Sequence, residues 1–388
     1  MKKLSLALII LLIGALIITG CGGAKDDADE VATDKGDTLV LGSNTDIDGM
    51  DPHNTGSLVS MKIVTNIYDT LLRADNEGNL SGQLAEDWER SDDGLSYTFT
   101  IKQGVMFHNG EELKASDVAY SIQRGIDSPY AGAIFGPVEG AEALSDYEVR
   151  VDLKYEYSPF LSAMSAPLAS IVSEKAVEEH GDDFSRNPVG TGAYKIVSWE
   201  PGDRVTLEAF DDWHLGEVPI KNLVFRVLED PATSVIALEK GEIDLLLDVP
   251  TSDRKSIEDN DNLELYEIPS HRFHYVGFNT EVGLFSDVKV RQAVAYALDR
   301  ESIRQTATEG ISILAQNHIA ETILGFAEDV EWYEQDMDKA LELIEEAGVE
   351  EGASVKIIAR DGVGNKMAQV LQDNLLKINI QSDIEILE

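Results

Sequence analysis

The chain opens with MKKLSLALIILLIGALIITGC, and this leader constrains the rest more than any other feature. Lys2 and Lys3 form a positive start, Leu4 to Ile18 is apolar but for Ser5 and Gly14, and Thr19-Gly20 place small residues before Cys21. That is the layout of a secretory signal, expected over residues 1–20. No other apolar run in the sequence approaches the length of a membrane span. Cys21 is the only cysteine among 388 residues, so no disulfide and no Cys-based metal site is available. Whatever folds after the leader must be held by packing alone.

The remainder is long enough for two ordinary domains, and hydrophobic residues make up 43% of the sequence, enough for a sizeable core. The formal net charge is −41, from 72 acidic and 31 basic residues spread along the chain. Such a surface repels nucleic acid and anionic headgroups, so nucleic acid is excluded as a partner. A solvated acidic surface suited to a salty or alkaline habitat accounts for the charge. Residues 21–37, from Cys21 through GGAKDDADEVATDKGD, lack apolar periodicity and read as an acidic tether.

Order is expected from Thr38, with TLVLGSNT as the first strand. Ser57 to Leu72 has a helical period, Tyr97 to Ile101 alternates like a strand, Asp117 to Arg124 reads as a helix, and Glu148 to Leu153 as a strand. Asp92-Asp93-Gly94 and Pro201-Gly202-Asp203 are turns between paired strands. Asp230-Pro231 is an N-cap followed by proline at the first helical position. Strands are expected at 243–247, 263–268 and 274–280, and amphipathic helices at Val288 to Ile303 and Asp338 to Ala347. The end reads as β-α-β: SVKIIAR, a helix from Asn365 to Ile378, and SDIEILE, a crossover that favours parallel strands.

No catalytic set emerges. G-x-S-x-G, H-E-x-x-H and Walker A patterns are missing, and Ser252–Lys255 and Ser286–Lys289 match S-x-x-K only in polar segments, where Ser252, Ser286 and Asp287 read as caps. His271 and His274, three apart on an expected strand, face opposite ways and make a poor metal site. The balance favours a binding protein over an enzyme.

Four stretches carry a resemblance: Leu84 to Arg124 (LAEDWERSDDGLSYTFTIKQGVMFHNGEELKASDVAYSIQR), Pro188 to Trp199 (PVGTGAYKIVSW) with Phe210 to Trp213, Asp230 to Leu246, and Val276 to Ile303. Together they resemble the family 5 extracytoplasmic solute-binding proteins of ABC importers, the peptide and nickel binders, from Thr38 to Glu388. Cys21 likewise resembles the lipidation site of bacterial lipoproteins, which implies a membrane anchor through lipid and a place outside the cytoplasmic membrane.

The resemblance implies a two-lobed α/β fold of the periplasmic-binding-protein type (type II, cluster C-like), with a ligand cleft between lobes. Lobe I would span 38–269, with an inserted subdomain at 57–186, and lobe II would span 270–388. The implied function is capture of oligopeptides for an ABC permease and ATPase, without cofactor or chemistry. The alternatives are a receptor for a nickel chelate or other small solute, and a peptide-sensing or chaperone-like lipoprotein on the same fold.

The loop after the first strand offers Thr45, Asp46 and Asp48 to a ligand, although its acids equally suit Asp-Gly and Asp-Pro turns. Near the expected hinge, Arg272, Phe273 and Tyr275 are candidates for the cleft, the aromatics equally for the core. Nickel-type members carry an arginine in the region matching Ser162 to Val172, and this run, SAMSAPLASIV, has none. Family members also continue beyond the position of Glu388 and carry there an aspartate that pairs with a peptide's N-terminus. The expectation is therefore an incomplete lobe II, from a fragment or a truncated gene, that is loose from Ser270 onward and not a competent receptor.

Overall fold

The computed structural model describes residues 36–388, apart from 322, 324, 328, 331, 361 and 388. The leader, Cys21 and the tether up to residue 35 lie outside the described residues. The chain divides between Asp248 and Val249 into two compact units. The division falls ahead of the expected lobe boundary after Pro269.

The first unit contains β1 (Thr38–Ser43), β2 (Leu72–Ala74), β3 (Leu80–Gly82), β4 (Ala85–Arg90), β5 (Ser96–Ile101), β6 (Val138–Ser145), β7 (Glu148–Leu153), β8 (Tyr194–Glu200), β9 (Arg204–Ala209), β10 (Asn222–Val227) and β11 (Leu245–Leu246). One sheet has the order β11-β1-β10-β9-β8, a second the order β4-β5-β7-β6, and β2 pairs with β3. In the first sheet β1 runs parallel to β10 and β11, while β9 is antiparallel to both β10 and β8. Local chemistry places the joints. The turn at residues 91–95 joins antiparallel β4 and β5, with Asp93 Oδ1 accepting from the Leu95 amide at 3.0 Å, and Pro201 to Asp203 joins β8 and β9. Asp230 caps the helix Pro231–Glu239, its carboxylate 2.8 Å from the Thr233 amide, with Pro231 where no amide hydrogen is needed.

Each sheet has its own core. The first packs Ile47, Met50, Ile63, Ile67, Val205 and Phe225, and the second packs Leu84, Phe99, Val118, Ile122, Phe135 and Val151. The second core runs from Leu71 to Ile171, narrower than the insertion expected at 57–186. Its flanks belong elsewhere: Ile63 and Ile67 before it, and Val172, Ala176 and Phe184 after it, are buried in the first core.

The helix expected over Ser57 to Leu72 covers only Leu58–Ile67, with Ser57 as its cap. Apolar periodicity continues past its end because Leu71 and Leu72 are buried in the second core, Leu72 as the first residue of β2. Gly190 and Gly192 explain the abrupt stop. A Cβ on Gly190 would lie 2.1 Å from the Ile67 carbonyl oxygen, and one on Gly192 would lie 2.6 Å from that of Asn66. The Gly192 amide takes the Ile67 carbonyl at 2.9 Å in place of a further helical turn. Only glycine permits this approach.

The second unit contains the helices Val288–Ala297, Arg300–Thr308 and Met337–Glu346, then β12 (Ser354–Arg360), the helix Val363–Lys377 and β13 (Gln381–Leu387). Strands β12 and β13 are parallel, as the crossover length predicts. Val290, Val294, Ala340, Leu343, Leu371 and Leu375 form the core. The strands expected at 263–268 and 274–280 are not formed. Strands need neighbours to take their amides and carbonyls, and no neighbouring strand pairs with this segment among the described residues. Tyr266, Ile268 and Tyr275 are accordingly exposed. No helix among the described residues is long and apolar enough to cross a membrane.

Candidate functional site

In open α/β sheets ligands gather at the carboxyl ends of parallel strands, where the strand order reverses. Here β1 lies between β10 and β11, all three parallel, so the loops that follow them share one edge. The Leu228 amide binds the Ser43 carbonyl at 2.8 Å and the Leu247 amide binds that of Gly42 at 3.1 Å, so all three loops start in register. The chain leaves the first unit directly after β11, at this edge. Asn44 Nδ2 donates to the Asp248 carbonyl at 3.2 Å, and Lys62 Nζ lies 3.3 Å from the exposed Asp248 carboxylate. Asn44, Lys62 and Asp248 carry no sequence motif, and only the fold brings them together, Asn44 and Asp248 after strands β1 and β11 and Lys62 on the helix Leu58–Ile67.

The loop from Asn44 to Ser57 presents Thr45 to solvent. Its acids serve the loop itself. Asp46 accepts from the Ile47 amide at 2.7 Å and, with its other oxygen, from the Gly202 amide at 2.6 Å. Asp48 Oδ1 accepts from the hydroxyls of Thr55 at 2.5 Å and Ser60 at 2.6 Å. Asp51, 4% exposed, receives both guanidinium nitrogens of Arg124, at 2.6 and 2.5 Å. Arg124 also donates to His53 Nδ1 at 3.0 Å. Burial, and then the Arg124 cation, push the His53 imidazole down to about 4.

A second buried node lies beside the stretches that bear the family resemblance and takes Thr191 from one of them. Asp69, 3% exposed, accepts from Gln83 Nε2, from Thr191 Oγ1 at 3.0 Å and from His214 Nε2 at 3.1 Å. Next to it, His108 Nε2 meets the Gly192 carbonyl at 3.0 Å while its Nδ1 faces the Gly190 amide at 3.4 Å. Burial lowers His108 to about 4. These contacts therefore serve the fold from inside it.

The remaining candidates lie in the second unit. Arg272, Phe273 and Tyr275 sit in an irregular exposed segment, the two rings 5.6 Å apart, and the Arg272 amide binds Ser270 Oγ at 3.0 Å. His271 and His274 are exposed in the same segment, and no group of three potential metal-binding side chains occurs among the described residues. Cys21 lies outside the described residues. The structure thus groups Thr45, Asp46 and Asp48 on one loop, and Arg272, Phe273 and Tyr275 on another.

The model of the bacterial extracellular solute-binding proteins, family 5 (middle region), matches residues 79–388. The chain belongs to this family. Its members bind solutes for transport outside the cytoplasm and are not enzymes. The glutathione-binding protein GsiB of Salmonella paratyphi A is 28% identical, over 90% of this chain and 69% of its own length. The oligopeptide-binding protein AppA of Bacillus subtilis is 30% identical, over all of this chain and 77% of its own. Among solved structures, the periplasmic binding protein DppA of Helicobacter pylori in complex with the peptide STSA superposes with a TM-score of 0.81 at 28% identity, over 90% of this chain and 74% of that one. The family 5 protein therefore has the α/β two-lobe architecture of these relatives.

Proposed function

We propose that this family 5 protein captures short peptides in extended form and hands them to an ABC permease and its ATPase. The observation that carries this reading is the peptide chemistry common to the relatives, which are named for glutathione and oligopeptides, and to DppA, which holds a tetrapeptide. The run Ser162 to Val172 supports it. Met164, Ala169, Ile171 and Val172 are buried there, and no arginine is present to hold a chelator. Within the first unit the candidate ligand contacts are Thr45, Asp46 and Asp48 on the edge loop, and within the second unit the separate candidates are Arg272, Phe273 and Tyr275. Backbone hydrogen bonds dominate, so side-chain preference is weak. Calorimetry with a mixed tripeptide-to-pentapeptide pool, glutathione and nickel–histidine tests this. Heat from peptides and none from nickel–histidine is expected, and tight nickel–histidine binding without peptide binding would reject the reading.

The anchor is part of the same proposal. Cys21 carries lipid, and the acidic tether spans from it to Thr38. Fractionation of cells expressing Cys21→Ala should move the processed protein from membranes to the soluble fraction. A processed variant that stays with the membranes would show that something other than Cys21 lipid holds it.

A further inference from the structure

The loop from Asn44 to Ser57 is held from several directions. Asp46 reaches the β8–β9 turn through Gly202, Asp48 reaches the helix Leu58–Ile67 through Ser60, and the Met50 amide binds the Ser185 carbonyl at 3.0 Å. These ties stay within the first core and its flanks. Arg124 is different. It sits on the helix Ala115–Ile126, whose Val118 and Ile122 are buried in the second core, and its guanidinium crosses to Asp51, next to Met50 in the first core. Four residues further, just past the helix end, the chain holds the loop again, since Ser128 Oγ donates to the His53 carbonyl at 2.6 Å.

A two-bonded ion pair with a buried carboxylate is a poor way to add stability compared with apolar packing, but it fixes one geometry sharply. We propose that Arg124 is a positioning residue for ligand capture. By gripping Asp51 it holds the edge loop in its receiving shape, and so sets affinity without touching the solute. A loop already ordered before binding spares the complex the entropy of ordering it. The inference rests on the peptide reading above.

The test uses the full chain. Arg124→Met alone leaves the buried Asp51 carboxylate without its cation, with the His53 amide at 3.0 Å still donating to it, so it is compared with Arg124→Met/Asp51→Asn, which removes both charges. Val118→Ala, a cavity variant in the second core, controls for lost stability without touching the clamp. Peptide affinity is measured by calorimetry with the peptide pool, and loop order by deuterium exchange of residues 44–57. The double variant should bind about tenfold more weakly and exchange faster in the loop, with exchange of 354–387 unchanged. Arg124→Lys should recover part of the affinity, because one ammonium replaces a two-pronged fork. Val118→Ala should bind like the parent. Equal affinity in the parent and the double variant overturns the proposal, as does an equal loss in Val118→Ala. Absence of peptide heat from the parent itself overturns the peptide reading and the inference together, and is distinguished from failure of the clamp alone by the missing signal in every variant.

Discussion

Asp69→Ala should destabilise the first unit by about 3–5 kcal/mol, a large share of the roughly 5–15 kcal/mol that holds a domain together. The carboxylate is 3% exposed and is the common acceptor for Gln83, Thr191 and His214. Removing it strands three donors, the Thr191 hydroxyl fully buried and those of Gln83 and His214 partly so, each costing up to about 1–3 kcal/mol when no water replaces the partner. Asp69→Asn should recover only part of this, since its amide brings a donor to a place that needs an acceptor. Trp88, Trp199 and Trp213 lie in the first unit, and Trp213 packs 6.2 Å from His214, so tryptophan fluorescence in urea reports the transition. A midpoint shift worth less than about 1 kcal/mol would mean that the node is not a determinant of the fold.

This node also marks what the sequence does and does not disclose. Turns and caps are local, so Asp93-Gly94, Pro201-Gly202 and Asp230-Pro231 could be placed from their own chemistry. The closing β-α-β unit was legible because its period changes from two to 3.6 and back. Asp69 had no such signature. Its partners lie 14, 122 and 145 residues away, and a lone Asp-Thr after a helical stretch looks like any surface turn. The two glycines of PVGTGAYK suggested close packing, but only the fold shows that they press on the end of the helix Leu58–Ile67. At the candidate site the sequence left two roles open for Asp46 and Asp48. The structure gives both oxygens of Asp46 and Oδ1 of Asp48 partners inside the protein, so holding the loop accounts for these contacts, while Thr45 and Asp48 remain exposed. Arg124 closes the first of the resembling stretches, but nothing in the sequence pairs it with Asp51, 73 residues away.

Stability should fall as the pH drops from about 6.5 to about 4, and His53 and His108 should account for the histidine part of that fall. Both rings are held neutral, in each case by burial first. Their partners show why protonation is resisted. His53 Nδ1 accepts from the Arg124 guanidinium, so a proton there would face a cation. His108 Nδ1 faces the Gly190 amide while Nε2 meets a carbonyl, so a second ring proton would oppose an N–H. A folded-state pKa below the unfolded value means that the unfolded chain takes up protons first. The contribution is therefore complete above pH 6.5 and disappears as the pH falls through about 4. Each ring contributes on the order of 3 kcal/mol at most. The 72 acidic residues titrate nearby and mask this in a single curve. Comparing the parent with His53→Gln/His108→Gln removes their share, because the acids are common to both proteins. In urea titrations across this range, the parent should lose its stability advantage over the variant progressively toward low pH. A difference that stays constant from pH 7 to about 4, or imidazole signals in the folded protein that titrate near 6.5, would show that these rings are not held neutral by the fold.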